Sequence, residues 1–130
     1  FFTKKVCSTA IRIKNGSHER LKLGLLNQYR DWTYTSDACE AIYLMMQADI
    51  PQDYCIGTGI LTSLEHFVET AFEECGLDYK DWCDYDESFN RQKDTKTLCA
   101  DNRKIKLELK WQPKTIVRDI IQKMIEYEYN

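Results

Sequence analysis

The chain has 130 residues, of which 43% are apolar and 30% charged, and its formal net charge is −3. These values are typical of a soluble globular protein and argue against a mostly disordered chain. No apolar run is long enough to span a bilayer, and no signal-peptide core follows the first residues. We therefore expect one domain over residues 1–130 and no membrane partner.

Charge is distributed unevenly along the chain. Residues 1–30 carry seven Lys or Arg and one Glu, residues 31–90 carry one Lys and fourteen acids, and residues 91–130 carry ten Lys or Arg and six acids. Two interpretations stay open: solvated basic and acidic faces, or two basic ends that converge on an anionic ligand. Nucleic acid is disfavoured as a partner, because the pI is about 5.4 and no basic-aromatic stripe is present.

The first half of the chain has the apolar spacing of helices joined by short strands. Residues 3–14 are predicted as a helix ended by Asn15-Gly16, and residues 21–23 as a strand. Thr35 or Ser36 is predicted to cap the next helix. Its core face would consist of Ala38, Ala41, Ile42, Met45 and Met46. A brief buried strand is predicted at residues 54–56, stopped by glycine.

The second half continues with further helices. Thr62-Ser63-Leu64-Glu65 has the pattern of a capping box for a third helix, which ends at Gly76. Residues 77–92 are irregular, with a possible strand near Trp82. A short strand at residues 98–99, a helix capped by Asp101, and a last helix capped by Thr115 complete the chain. This order predicts a helix-rich α/β domain.

The six cysteines do not have the spacing of a metal site. None forms a C-x-x-C pair, and neither His18 nor His66 has zinc-finger spacing to a cysteine pair. Cys39, Cys55 and Cys75 fall at apolar positions of predicted elements, where a free thiol acts as a small apolar side chain. We expect reduced thiols and no metal.

The five glycines do not form the glycine-rich loop of a dinucleotide site. Gly57-Thr58-Gly59 has no third glycine at the needed offset, so it is predicted to be a turn. His66 lies beside no evident nucleophile and is predicted to be a surface residue. The sequence therefore favours a role in ligand binding, since it contains no recognisable set of catalytic residues.

A run of motifs carries a family resemblance. Arg30-Asp31-Trp32 is followed by the helical sequence Glu40-Ala41-Ile42-Tyr43-Leu44-Met45-Met46-Gln47 and then by Thr58-Gly59. This run resembles the C-terminal half of the GDP-mannose 4,6-dehydratases, in the extended short-chain dehydrogenase/reductase group. The similarity runs from residue 1 to about residue 64 and from residue 91 to the last helix. It implies a helix-rich C-terminal substrate-binding lobe without the Rossmann nucleotide-binding half.

The same resemblance implies an activity that this chain does not carry alone. Such lyases use NADP to take a hydride from C4 of GDP-mannose and return it at C6 after loss of water, giving GDP-4-keto-6-deoxy-mannose for GDP-fucose biosynthesis. No Tyr here has the family's Lys four residues later, so no catalytic residue is assigned and the NADP site is expected outside this chain. A cytoplasmic location and a homo-oligomeric full-length enzyme are also implied.

Five residues match positions that contact the nucleotide sugar in the family. Arginine forms two hydrogen bonds at once with a phosphate group. The resemblance places Arg30 and Arg91 at the diphosphate and Lys4 and Lys5 facing the nucleotide sugar. Asp94 stands where the family has a Glu at a ribose hydroxyl, and its side chain is one methylene shorter.

Several departures from the family pattern bear on specificity. Thr33-Tyr34 replaces Gly-His, Leu25 replaces an Asn, and Gln92 replaces a Pro. Asp31 is expected to order the Arg30 loop rather than to touch ligand. Two alternatives remain open: a non-catalytic module that binds a nucleotide sugar or a protein, and the same lobe from another nucleotide-sugar dehydratase or epimerase.

Overall fold

A computed structural model describes residues 1–90 and 95–129 of the chain. Within these ranges the helices are α1 (Phe2–Lys14), α2 (Thr35–Gln47), α3 (Leu64–Glu74), α4 (Tyr79–Trp82), α5 (Arg103–Leu109) and α6 (Val117–Tyr129). The strands are β1 (Leu21–Leu23), β2 (Tyr29–Arg30), β3 (Thr62–Ser63), β4 (Cys83–Tyr85) and β5 (Thr97–Leu98), and a 3-10 turn spans Glu87–Phe89. No described helix is both long and apolar enough to cross a membrane.

The main core lies where α1, α3 and α6 pack against one another. Helical spacing places apolar side chains on one stripe of each helix, and these stripes meet. The fully buried members include Val6 and Ala10 of α1, Phe67 and Phe72 of α3, and Ile121 of α6. Burying each large apolar side chain contributes about 1.5–3 kcal/mol.

Two small sheets connect the helices. β1 pairs in parallel with β4, with Leu21 opposite Cys83. β2 lies between β3 and β5, antiparallel to β3 and parallel to β5. β1 has its predicted bounds, β4 begins directly after Trp82, and β5 begins one residue before its predicted position. The fold is therefore the helix-rich α/β arrangement expected from the sequence.

A second apolar cluster joins α2 to the segment after α5. Ala41, Ile105 and Trp111 are buried there. Trp111 Nε1 donates to the backbone carbonyl of Asp37 at 3.0 Å. The Asp37 carboxylate is only 5% exposed and accepts from the backbone N–H groups of Lys114 and Thr115 at 3.0 and 2.9 Å. These bonds offset the cost of burying the carboxylate and hold α2 in place.

The helix caps differ by one residue from those predicted. Tyr34 occupies the N-cap position of α2, so Thr35 and Ser36 lie inside the helix. Ser63, rather than Thr62, caps α3 by accepting from the backbone N–H of His66 at 3.0 Å. In α3 the helix begins only after Ser63, because Thr62 and Ser63 are paired with β2.

The start of α5 also differs by one residue from the prediction. Asn102, not Asp101, is the N-cap residue of α5, although the Asp101 carboxylate accepts from the backbone N–H of Arg103 at 3.2 Å. Gly76 has φ +75°, the left-handed conformation expected at the end of α3.

The predicted core face of α2 is the main error. Ala41 is buried, but Ile42 is 48% exposed and Met46 is 76% exposed. Residues 54–56 form no strand, and both Cys39 and Cys55 are exposed rather than buried. The apolar periodicity is present, yet no element that the structure describes covers this face of α2.

Candidate functional site

A cavity of about 680 Å³ opens beside the start of α1. Its walls come from the first turn of α1, the β1–β2 connection and the end of the 3-10 turn. Arg30, at the end of β2, and Leu64, at the start of α3, also line it. This volume falls within the range of about 300–1,000 Å³ typical of small-molecule sites.

Arg30 reaches this cavity with an oriented guanidinium. Its Nη1 donates to the backbone carbonyls of Tyr29 and Thr95, both at 2.8 Å, and its Nη2 donates to Gln28 Oε1 at 3.2 Å. These three acceptors are uncharged, so they orient the guanidinium without contributing negative charge. A positioned guanidinium presents its donors to an oxyanion with less entropy to lose.

Lys5 lies on the same cavity, whereas Lys4 does not line it. The Lys5 ammonium donates to the backbone carbonyl of Lys22 at 2.6 Å and lies 3.8 Å from the centroid of the Phe89 ring. Lys4 Nζ instead lies 3.4 Å from a carboxylate oxygen of Glu128 on α6. Adjacent helical residues point in directions about 100° apart, which separates the two ammonium groups.

The charges around the cavity are of one sign among the described residues. Lys5 and Arg30 line it, and no acidic side chain does so in the described ranges. Other cations of the basic segments form ion pairs: Arg12 with Glu19, Arg20 with Asp84, Lys114 with Glu40, and Arg118 with Glu74. Two cations of the basic segments therefore line one cavity, and four others form ion pairs at the surface.

An aromatic cluster forms the inner side of the cavity. The Trp32 ring lies 4.8 Å from Phe67 and 6.4 Å from Phe2, measured between centroids. Phe2 and Trp32 line the cavity, while Phe67 is fully buried. Trp32 is thus a packing residue, and it supports the chain that follows Arg30.

The 3-10 turn supplies a wall that the sequence did not reveal. Phe89 and Asn90 both line the cavity, and Asn90 Oδ1 accepts from the backbone N–H of Leu25 at 2.9 Å. A Cβ at Gly24 would lie 2.7 Å from Asn90 Oδ1, so only glycine fits there without a shift. A glycine in the sequence shows that backbones can approach closely, but not which segment approaches.

Two predicted site residues, Arg91 and Asp94, lie outside the residues that the structure describes. The described residues on either side of them belong to the site. Asn90 lines the cavity, and the carbonyl of Thr95 accepts from Arg30.

Asp31 orders the loops behind the site, as expected from the sequence. Its carboxylate accepts from the backbone N–H groups of Thr58, Gly59 and Ala100 at 2.9, 2.8 and 3.2 Å. Gly59 has φ +74°, which confirms a turn at residues 57–59. Because the N–H groups of Thr58 and Gly59 bind Asp31, this Gly-x-Gly loop does not fit a dinucleotide phosphate. His66 is exposed, as predicted.

Comparison with known proteins identifies the family. The chain matches the family model for GDP-mannose 4,6 dehydratase over residues 1–124. It is 32% identical over 126 residues to GDP-mannose 4,6 dehydratase 2 of Arabidopsis thaliana, covering 97% of this chain and 34% of the relative. The Homo sapiens GDP-mannose 4,6 dehydratase is 29% identical over 142 residues, with 96% and 38% covered. The chain therefore spans between a third and two fifths of the length of these curated relatives.

Solved structures share the fold. RMD from Pseudomonas aeruginosa, complexed with NADPH, has a TM-score of 0.88 at 14% identity, covering 98% of this chain and 42% of that one. UDP-glucose 4-epimerase of Thermotoga maritima, with UDP-glucose, has a TM-score of 0.77 at 24% identity, covering 97% and 37%. Such identities show the fold alone, that of the helix-rich part of an extended short-chain dehydrogenase/reductase. The match to the family model over residues 1–124 establishes that this chain belongs to the GDP-mannose 4,6-dehydratase family.

Proposed function

We propose that this chain supplies the nucleotide-sugar-binding surface of a GDP-mannose 4,6-dehydratase-type enzyme, as a single lobe over residues 1–130. The observation that carries the proposal is the meeting of Arg30 and Lys5 on one cavity whose other described walls are uncharged. Clustered cations on a concave surface attract an anionic ligand. A sugar joined to a nucleoside diphosphate has such an anion at its centre.

Arg30 is proposed to bind the diphosphate. Among the described residues its guanidinium donates to three neutral oxygens, and Arg30 lines the cavity, where paired hydrogen bonds to phosphate oxygens are proposed. Arg91 is proposed as its second cation and Asp94 as a ribose contact, both on the sequence resemblance. We propose Lys5 rather than Lys4 as the ammonium that faces the ligand.

The role of this binding in the reaction is positional. Binding energy from the diphosphate, remote from the reacting carbons, holds the hexose in place for chemistry elsewhere in the enzyme. NADP, the cofactor expected from the family, is proposed to be held by residues outside this chain. We propose a cytoplasmic, homo-oligomeric full-length enzyme that acts in GDP-fucose biosynthesis.

Calorimetric titration with GDP-mannose tests the proposal. Hydrogen bonds to charged groups contribute about 1.5–3 kcal/mol each, so Arg30→Ala should weaken binding by roughly ten- to hundredfold. Arg30→Lys should recover only part of the affinity, because an ammonium lacks the paired donors. Arg118→Ala is the control, since Arg118 pairs with Glu74 on the far helices and lies outside the cavity.

Two results would count against the proposal. Equal affinity of the Arg30→Ala and Arg118→Ala variants for GDP-mannose would place the diphosphate elsewhere. Turnover of GDP-mannose by this chain with added NADP would show that the chain carries the chemistry itself and not only the binding surface.

A further inference from the structure

We propose that Phe89 is the residue on which the nucleobase of the ligand stacks, an inference that rests on the proposed function. Nothing in the sequence pattern singled out Phe89. Its side chain is 50% exposed and lines the same cavity as Arg30 and Lys5. This distinguishes it from Phe67 and Phe72, which are fully buried in the core.

The turn that carries Phe89 is fixed by hydrogen bonds. The turn that carries it begins at Asp86, whose carboxylate accepts from the backbone N–H and hydroxyl of Ser88 at 3.0 and 2.6 Å. These two bonds lower the pKa of Asp86 below its ordinary value. The Asp86 N–H donates to the carbonyl of Leu23 at 2.8 Å, and the Phe89 N–H donates to the Asp86 carbonyl at 3.1 Å.

The backbone of Phe89 also packs directly on the β1–β2 connection. A Cβ at Gly24 would lie 3.0 Å from both the carbonyl carbon and the carbonyl oxygen of Phe89. The side-chain amide of Asn90, the next residue, is fixed by two hydrogen bonds. Its Oδ1 accepts from the Leu25 N–H at 2.9 Å, and its Nδ2 donates to Tyr85 Oη at 2.7 Å. The backbone that carries the ring is therefore fixed by its own contacts, and the ring itself contacts the Lys5 ammonium, which reduces the entropy lost on binding.

The chemistry of this wall matches a planar aromatic group. A phenylalanine ring has no hydrogen-bonding group, so it offers little to a hydroxyl-rich hexose and suits a flat base. Such stacking is tolerant of base identity. The Lys5 ammonium lies over one face of the ring, 3.8 Å from its centroid, so the base would stack on the opposite face with positive charge behind the ring. A nucleoside diphosphate has both features, a flat base and an anionic tail for Arg30.

The experiment compares GDP with inorganic pyrophosphate, which has the charge but no base. Calorimetry should show GDP binding more tightly than pyrophosphate, and Phe89→Leu should remove most of that difference, a loss of about tenfold for GDP. Pyrophosphate affinity should not change. Phe89→Tyr should retain GDP affinity, and Tyr127→Ala, an exposed aromatic outside the cavity, is the matched control.

Proton NMR of the nucleotide gives a readout independent of affinity. Ring current from a stacked phenyl group should shift the guanine H8 resonance upfield on binding, and Phe89→Leu should remove that shift. Equal GDP affinity and an unchanged H8 shift in Phe89→Leu would overturn the stacking role and leave the diphosphate site standing. Absence of any GDP or pyrophosphate binding by the unmodified chain would overturn the proposed function and the stacking role together.

Discussion

The carboxylate of Asp31 accepts hydrogen bonds from both the backbone N–H and the hydroxyl of Thr58, at 2.9 and 2.5 Å. The same carboxylate accepts from the N–H of Gly59 and of Ala100. It thereby ties two separate segments, residues 58–59 and Ala100, to the residue that follows Arg30. A Cβ at Gly57 would lie 2.9 Å from the Asp31 carboxylate, so the loop approaches closely enough for all of these bonds.

Replacing Asp31 should therefore destabilise the fold next to the cavity. Asp31→Asn removes the negative charge and one acceptor oxygen, and we expect a loss of about 2 kcal/mol or more in the free energy of unfolding. Urea denaturation measures this loss. Asp101→Asn, which breaks an exposed pair with Arg103, is the control and should have little effect. Similar midpoints for the two variants would contradict the role given to Asp31.

Lys4 and Lys5 should differ in nucleotide binding although they are neighbours in sequence. Lys5→Met removes the ammonium from the cavity while keeping the length of the side chain, and we expect GDP affinity to fall by about five- to tenfold. Lys4→Met should leave affinity unchanged, because Lys4 pairs with Glu128. Calorimetry of both variants, with circular dichroism to verify folding, checks this. A larger effect for Lys4→Met would mean that the ligand approaches from the α6 side.

The apolar face of α2 should make the isolated chain self-associate. Ile42 and Met46 of α2 are 48% and 76% exposed, and Ile50, three residues beyond the end of α2, is 69% exposed. Exposed apolar surface promotes association. Light scattering should show mass above the monomer at high concentration, together with binding of a hydrophobic dye. Replacing the three residues by Ser should reduce both signals. Tyr127→Ser is the control for loss of an isolated exposed side chain, and a clean monomer without dye binding would refute the prediction.

The six thiols should divide into two reactivity classes. Burial raises the pKa of Cys7 to about 12 and that of Cys83 to about 11, and it also raises the pKa of Cys75. The exposed thiols are Cys39, Cys55 and Cys99. Only the thiolate reacts with alkylating agents. Iodoacetamide at about pH 8 should label the exposed three in the folded chain and all six after unfolding, as mass spectrometry would show. Rapid labelling of Cys7 in the folded chain would contradict its burial.

Stability should fall as pH rises into the alkaline range. Burial raises the pKa of the Cys7 thiol from its ordinary value of 9.0 to about 12, so between these pH values the folded state retains a proton that the unfolded state loses. Tyr79 behaves in the same way, because its hydrogen bond to Glu65 raises its pKa from 10.0 to about 12. The contribution of each group is complete below its unfolded pKa and is lost as pH rises towards 12.

Denaturation midpoints at pH values from about 8 to about 11 measure this loss. Cys7→Ala should reduce the dependence on pH, while Cys99→Ala, at an exposed thiol, should not alter it. A midpoint that rises with pH across this window would reverse the assigned sign.

Local patterns in the sequence determined the helices of the main core. Val6 and Ala10 recur at helical spacing in α1, as Val68 and Phe72 do in α3, and each pair is buried. Gly76 ended α3 as its conformational freedom predicts. The family motifs around Arg30 also lie within a short stretch of chain. Such features depend on neighbours in sequence, and for that reason they could be predicted without a structure.

Tertiary structure alone decided which residues face the cavity and which apolar face stays uncovered. The period of α2 shows that Ile42 and Met46 share an apolar face, but not what covers it. Phe89 reaches the cavity because its turn packs on Gly24. Lys4 forms an ion pair with Glu128 of the last helix, whereas Lys5 lines the cavity. These contacts join residues far apart in the chain. Their geometry depends on how the helices pack, which no local pattern contains.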